Sequence, residues 1–450
     1  MDRAAIRARR PIIEEVPATP ADDLILAAIG PPGRNVGTVE PLIRSVLDVL
    51  VVGAGPAGVA TGLEARRLGL DALVVDKAAF PRDKTCGDGL TTGALRLLDE
   101  LAFDVRTLPS WAPVTDTVLV SPTGREVELP LPPDGAYAGV VPRVELDAGL
   151  LEHARARGVD VREGTAVTAL HDDSDRAGDV VTATLADGTE VTARFVVAAD
   201  GHWSPVRRLL VGDDQPDLGS WHAFRQYFTG VDDRRLWVLF EEDLLPGYAW
   251  VFPVGGPGGR RANVGFGVLR TDDASTNGKA LAAQWRGLAD RPSLRRALGP
   301  HAEPEGTVRA WPIPATYDRN RLTHGRALFV GDAANVVDPM TGEGIAQALE
   351  SGMLAARAIA ASPNDANAVC ARYRADVDRT LGADLRFAAL LQHVLRVPLG
   401  ARAAIRAASL TPWTRRNFAR WMWEDYPRAL LFTPRRWHRG ALTASGAYIG

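Results

Sequence analysis

Asp76, Asp200 and Asp332 each stand at or just past the end of a short aliphatic run: Leu73-Val74-Val75, Phe195-Val-Val-Ala-Ala199 and Ala327-Leu-Phe-Val330. Carboxylates at the carboxyl edge of a parallel sheet lie where open α/β folds bind ligands. The first of these acids follows Gly53-x-Gly55-x-x-Gly58, itself preceded by the strand-like Val49-Leu-Val-Val52. Gly53 permits a tight turn, Gly55 lets a pyrophosphate approach the backbone, and Gly58 lets the next helix pack on the strand. That helix's N-terminus offers unpaired N–H groups to phosphates. Asp76, eighteen residues past Gly58, stands where an acid binds adenosine ribose hydroxyls. This strand–turn–helix with its acid predicts a dinucleotide site.

Two other groups of residues carry chemistry. Cys86 sits in Lys84-Thr-Cys86-Gly87-Asp88-Gly89, between a basic loop and two glycines. It is either a partly exposed reactive thiol or a small buried apolar residue, and spacing alone favours the second. Tyr248, Trp250 and Phe252 alternate, so in a strand they project from one face. They form either the wall of an apolar pocket or simply core, and core is the default.

The elements that must position these residues can be read in outline. Helical patterns follow Gly93, start near Arg143 and run to Arg157, run from about Gly344 to Ala360, and span about Asp365 to Leu395. Hairpins are expected at Ser121-Pro-Thr-Gly124 and Asp187-Gly188. Antiparallel strands are expected at Phe224–Phe228, Leu236–Phe240, Tyr248–Phe252 and Asn263–Leu269. Asp200-Gly201 ends a fully apolar strand, so it reads as a ligand edge and not as a simple turn. Gly331-Asp332 opens a second glycine-rich strand–helix junction, whose backbone N–H groups can face a polar ligand.

The remaining composition narrows the class. A net charge of -3 gives no global pointer to nucleic acid. Two cysteines, Cys86 and Cys370, argue against a disulfide framework and for a reducing, cytoplasmic compartment. Neither a signal-peptide core nor an apolar run of membrane-spanning length stands out, and no metal site is expected. Residues 1–44 are rich in proline and read as a largely disordered extension. Residues 396–450 interleave arginines with Trp413, Phe418, Trp421, Trp423, Tyr426, Phe432 and Trp437. That mixture suits either a membrane interface or a packed helix pair with a basic solvated face.

The ordered triple of G-x-G-x-x-G, Asp200-Gly201 and Gly331-Asp332 resembles the FAD-binding fold of para-hydroxybenzoate hydroxylase and its relatives, over roughly residues 47 to 395. Phe80-Pro-Arg-Asp-Lys-Thr-Cys86-Gly87-Asp-Gly89-Leu is similar to the cysteine–glycine loop of the geranylgeranyl reductase family. Pro246-Gly-Tyr248-Ala-Trp250-Val-Phe252-Pro253 is similar to that family's Tyr-x-Trp-x-Phe-Pro strand. The family places proline three residues before the tyrosine. Here Leu245 holds that position and the proline comes one later.

The resemblance implies an α/β fold: a Rossmann-type FAD domain, an antiparallel-sheet substrate region chiefly at about 111–135 and 215–315, and a helical C-terminal region. It implies that Gly53, Gly55, Gly58 and Asp76 hold the ADP half of FAD, with Arg143 near the cofactor. Asp200 and Gly201 would lie by the pyrophosphate and riboflavin, and Gly331 and Asp332 at the ribityl chain. Gly342 and Gly344 would let the backbone approach the flavin ring. It implies reduction of isolated double bonds in a prenyl lipid or quinone, with NAD(P)H or another donor as reductant. Cys86 would then position substrate or relay a proton. Tyr248, Trp250 and Phe252 would shelter a developing positive charge. Two rivals stand beside this: a monooxygenase of the same fold, and a non-enzymatic prenyl-binding escort. Tyr248 and Phe252 argue against a halogenase, whose strand reads Trp-x-Trp-x-Ile-Pro.

Overall fold

A computed structural model describes residues 46–172, 179–212, 219–270, 278–437, 440, 442–443 and 445–449. The expected N-terminal extension lies outside the described residues.

The first strand, Leu47–Val52, is flanked on both sides by parallel partners. Val49 pairs with Phe195 on Glu190–Ala198 and with Ala72 on Ala72–Val75. A strand buried on both faces needs apolar side chains throughout its length, and Val49, Leu50 and Val51 are at most 1% exposed. Ala327–Phe329 adds in parallel beyond Glu190–Ala198, and Asp160–Arg162 beyond Ala72–Val75. Three of these parallel strands therefore bring their carboxyl ends, and with them Asp76, Asp200 and Asp332, to one edge. The hairpin expected at Asp187-Gly188 joins Val181–Leu185 to Glu190–Ala198.

Helix Pro56–Arg67 leaves the glycine turn and crosses Ile345–Ala361 at very short range. A Cβ on Gly352 would sit 2.3 Å from the Ala57 carbonyl oxygen, and Thr61 Oγ1 donates to the Gly352 carbonyl at 3.2 Å. Small residues on both helices are what permit this approach. The contact binds the two glycine-rich junctions into one body.

A second, seven-stranded sheet runs in the order Glu303–Ile313, Trp221–Thr229, Arg261–Leu269, Tyr248–Val254, Leu236–Leu239, Asp116–Val120, Glu126–Pro130. A small third sheet pairs Gly89–Thr91 and Ala112–Pro113 with Ala138–Val140. The cysteine loop leads directly into Gly89–Thr91.

The chain from Ala366 to Leu395 is helical throughout, with a widened turn at Asp378–Gly382. Pro398 and Pro412 then open two further helices, Pro398–Ala408 and Pro412–Met422. Proline suits the first helical turn, where its missing N–H has no partner to lose. This region docks on the sheets: Trp423 Nε1 donates to Thr117 Oγ1 at 3.2 Å, and its carbonyl accepts the Thr92 amide at 2.8 Å. Among the described residues no helix is long and apolar enough to cross a membrane.

Candidate active site

The carboxyl edge of the parallel sheet opens into a cavity of about 1040 Å³. Its wall includes Gly53, Gly55, Asp76, Cys86, Arg143, Asp200, Gly201, Gly331, Asp332, Gly342 and Gly344, together with Tyr248, Trp250 and Phe252. Of the residues singled out in the sequence, only Gly58 lies behind the lining. Its place is structural: a Cβ there would fall 1.7 Å from the Gly53 carbonyl oxygen. Gly53 has φ +107° and would clash with the Ala199 carbonyl at 2.3 Å. Gly55 differs. A Cβ there would meet nothing nearer than Arg82 Nη2 at 3.5 Å, so its bare backbone faces the cavity.

The acids at the edge are held differently. Asp76 accepts the Ala54 and Ala78 amides at 2.7 and 2.8 Å, which fixes its carboxylate beneath the glycine turn. Burial raises the Asp332 carboxyl, but Lys84 Nζ at 3.0 Å and the Arg143 charge outweigh it and keep the acid below its usual range. Arg143 is buried and grips Asp147 through two bonds of 2.7 and 2.8 Å. Burial pushes the Asp200 carboxyl up to about 6. Its Oδ2 accepts the Val206 amide at 2.9 Å, while Oδ1 is buried without a partner.

The cysteine loop rests on the aromatic strand. Trp250 pairs with Gly265 across the sheet, where a Cβ would be 2.3 Å from the indole Cζ2. A Cβ on Gly89 would come within 3.3 Å of the Phe252 ring. Successive ring centroids from Tyr248 to Trp250 to Phe252 are 6.0 Å apart. The row lines the cavity and packs on the core at the same time: Trp250 is 6% exposed, and Tyr248 and Phe252 rest on a buried apolar cluster. Cys86 is half-buried against the same cavity, and burial raises its thiol to about 11. That shift favours the neutral thiol over the thiolate.

Sequence reasoning missed several supports. Asp88, fully buried with φ +65°, accepts from Tyr227 Oη at 2.6 Å and from Asn263 Nδ2 at 2.7 Å. Burial raises its carboxyl, with those two bonds opposing. Glu343 stands in the wall between Gly342 and Gly344. Gly265 and Gly267, alternating opposite the aromatic row, were a legible signal of that row's bulk. Asn263 carried none, because an amide in a strand looks like any solvated position. The C-terminal region was the largest omission: Ile405, Phe418, Trp421 and Tyr426 line the same cavity and add apolar wall to it.

An FAD binding domain model matches residues 46–376. A menaquinone reductase from Mycobacterium tuberculosis is 36% identical over 330 residues, covering 69% of this chain and 75% of that protein. A geranylgeranyl diphosphate reductase from Rhodobacter capsulatus is 31% identical over 321 residues, covering 69% and 74%. The chain belongs to the geranylgeranyl reductase family of FAD-dependent oxidoreductases. A geranylgeranyl bacteriochlorophyll reductase-like protein from Thermoplasma acidophilum shares the flavoprotein fold at a TM-score of 0.71 and 23% identity, over 87% of this chain and 99% of its own. The residues of this flavoprotein fit the cofactor its family implies. The bare backbone at Gly55 leaves room for a pyrophosphate, and the orphaned Asp200 Oδ1 awaits a donor from a bound group.

Proposed function

We propose that this flavoprotein reduces an isolated double bond in the prenyl chain of a quinone or related lipid. The observation that carries the reading is the single cavity shared by the glycine-rich FAD edge, the Tyr248/Trp250/Phe252 wall and apolar side chains of the C-terminal helices. A long hydrocarbon needs such an apolar lining, and burying it there contributes about 0.8 kcal/mol per methylene. The 36% identity to menaquinone reductase points to a quinone head group.

Gly53, Gly55 and Gly58 would hold the ADP half of FAD with Asp76 on its ribose. Asp200 and Gly201 would face the pyrophosphate and riboflavin region. Gly331 and Asp332 would meet the ribityl chain, with Lys84 and Arg143 keeping Asp332 ionised. Gly342 and Gly344 would bring the backbone up to the ring. Bound and reduced, the flavin supplies a hydride equivalent. An isolated alkene accepts hydride only as a proton is added, so positive charge builds on carbon. The faces of Tyr248, Trp250 and Phe252 stabilise such charge by up to about 2 kcal/mol and keep water out. Cys86, a neutral thiol beside Trp250 and Phe252, seats the alkene against that wall.

Residues 45–395 would form the cofactor and substrate body, and 396–450 its cover. NAD(P)H is the reductant we propose, in the cytoplasm, with the cover lying on an anionic bilayer. Support for the last point is the run of exposed apolar side chains in that region. Leu399, Trp413, Leu431 and Phe432 are 76, 66, 74 and 69% exposed, among exposed Arg396, Arg402, Arg406, Arg415, Arg416 and Arg435. Trp413 and Leu431 also line the cavity, so the exposed patch borders it.

Anaerobic single turnover tests the reaction. FAD-loaded, chemically reduced protein mixed with a menaquinone bearing an unsaturated chain should oxidise its flavin and yield a chain richer by two hydrogens. Flavin that reoxidises only when oxygen is admitted would overturn this reading in favour of a monooxygenase.

A further inference from the structure

Glu343 lines the cavity from a loop closed on itself. Asp338 Oδ1 accepts the Met340 and Thr341 amides at 2.9 and 2.8 Å, and the Gly342 amide returns to the Asp338 carbonyl at 2.9 Å. Tyr248 Oη donates to the Thr341 carbonyl. One piece of backbone thus holds both the aromatic wall and this carboxyl. Glu343 Oε1 accepts the Ile345 amide at 2.9 Å.

The other charged groups near it face one another, with Arg428 Nη1 buried and without a hydrogen-bond partner. Arg428 Nε lies 3.1 Å from Asp338, and its Nη2 3.3 Å from Glu424. Glu424 also accepts from Thr91 Oγ1 at 2.8 Å and from Gln347 Nε2 at 3.1 Å. Among the described residues Glu343 forms no ion pair, although it faces two other acids.

We propose that Glu343 is the acid of the reaction, giving its proton to the alkene carbon that does not receive the hydride. The proposal rests on prenyl reduction as the activity. The carboxyl O–H bond breaks and the alkene π pair forms a C–H bond with its proton. Reduced flavin, when bound, would supply the hydride equivalent for the second C–H bond and would itself be oxidised by two electrons. The carboxylate left behind regains a proton from water. Tyr248 and Trp250 line the same cavity as Glu343, so their ring faces are available to the cation between these events.

Burial, then the charges of Glu424 and Asp338, push the Glu343 carboxyl up to about 8, against the amides of Ile345 and Ala346. An acid with that affinity is protonated at neutral pH yet readily gives its proton up. Cys86, pushed to about 11, is the poorer donor at the same cavity.

The test pairs a spectroscopic readout with a kinetic one. The infrared spectrum of FAD-loaded wild type minus Glu343→Gln, at neutral pH, should contain a protonated carboxyl band. That band should shift in D₂O and vanish as pH rises through about 8. In single turnover, Glu343→Gln should reduce the alkene about 100-fold more slowly or worse. Its FAD affinity and chemical reduction of its flavin should match wild type. Glu343→Asp should recover part of the rate. A carboxylate signature at neutral pH, or Cys86→Ala proving slower than Glu343→Gln, would overturn the proposal. Wild type that reduces no prenyl alkene would overturn the reaction itself and so the donor role. The infrared band would then still report whether the proton is there.

Discussion

Trp250 Nε1 donates to Asn263 Oδ1 at 3.0 Å, and Asn263 Nδ2 donates in turn to Asp88 Oδ2 at 2.7 Å and to the Cys86 carbonyl at 2.8 Å. One buried amide thus ties the central ring of the aromatic wall to the loop that carries the thiol. Asn263 pairs with Phe252 across the strands, so it is anchored to the wall by backbone as well. The amide therefore couples the two sides of the cavity.

Asn263→Leu keeps the branched shape and removes the link. The indole N–H loses its partner, and Asp88 Oδ2 keeps only Tyr227. Leaving buried polar groups unpaired costs about 1–3 kcal/mol, so the midpoint of urea unfolding should fall by a matching amount. The variant should still bind FAD, because the glycine turn is untouched, and should reduce the prenyl chain more slowly. Wild-type stability and turnover together would show that the amide is not the coupling element.

Gly58→Ala should abolish flavin binding. Its Cβ would sit 1.7 Å from the Gly53 carbonyl oxygen, a backbone atom in the turn that cannot step aside alone. The purified variant should be colourless, with circular dichroism close to wild type. Gly287→Ala is the control: a Cβ there meets nothing within 4 Å, and alanine should favour its helix by up to about 1 kcal/mol. A yellow Gly58→Ala protein would mean that the helix can retreat from the turn at little cost.

Glu343 also predicts a dependence of stability on pH. Its carboxyl is raised from 4.5 to about 8, so the folded state holds the proton more tightly than the unfolded state does. The contribution to stability is complete below 4.5 and is lost as pH rises through about 8. Glu343→Gln removes this loss. The Tm of the variant relative to wild type should therefore climb steadily across that interval. Asp200, raised to about 6 by burial, acts with the same sign over a lower window and is common to both proteins. A Tm difference that does not change with pH would show that Glu343 titrates normally.

The C-terminal mouth should bind anionic vesicles. Replacing both Leu431 and Phe432, 74 and 69% exposed, with aspartate removes two apolar contacts and adds repulsion. Full burial of such side chains contributes about 1.5–3 kcal/mol each, so vesicle affinity should drop at least about tenfold while the fold and flavin content remain. High salt should weaken wild-type binding through the arginines. Unchanged sedimentation with vesicles after the double substitution would leave the exposed patch without this role.

The cofactor edge was legible in the residues because its requirements are local. An aliphatic run that ends at glycine and a helix that needs Gly58 are consequences of short-range sterics, and Asp76 follows at the spacing the next strand imposes. Reading Asp200 and Asp332 as partners of that turn needed only the fact that both close buried strands. The alternation of Tyr248, Trp250 and Phe252 likewise put them on one face, since side chains along a strand alternate. Which side of that face is empty is a matter of tertiary packing. Gly265 makes room for the indole from a neighbouring strand, and Gly87 and Gly89 bring the cysteine loop against it. The raised thiol of Cys86 and the raised carboxyl of Glu343 were also invisible in the chain, because burial and, for Glu343, the charge of Glu424 arrive from distant segments. The arginine- and tryptophan-rich C-terminal stretch suited either a packed helix pair or a membrane face by composition. Only the tertiary structure sorts its residues: Trp423 and Arg428 are buried, while Trp413, Leu431 and Phe432 are exposed.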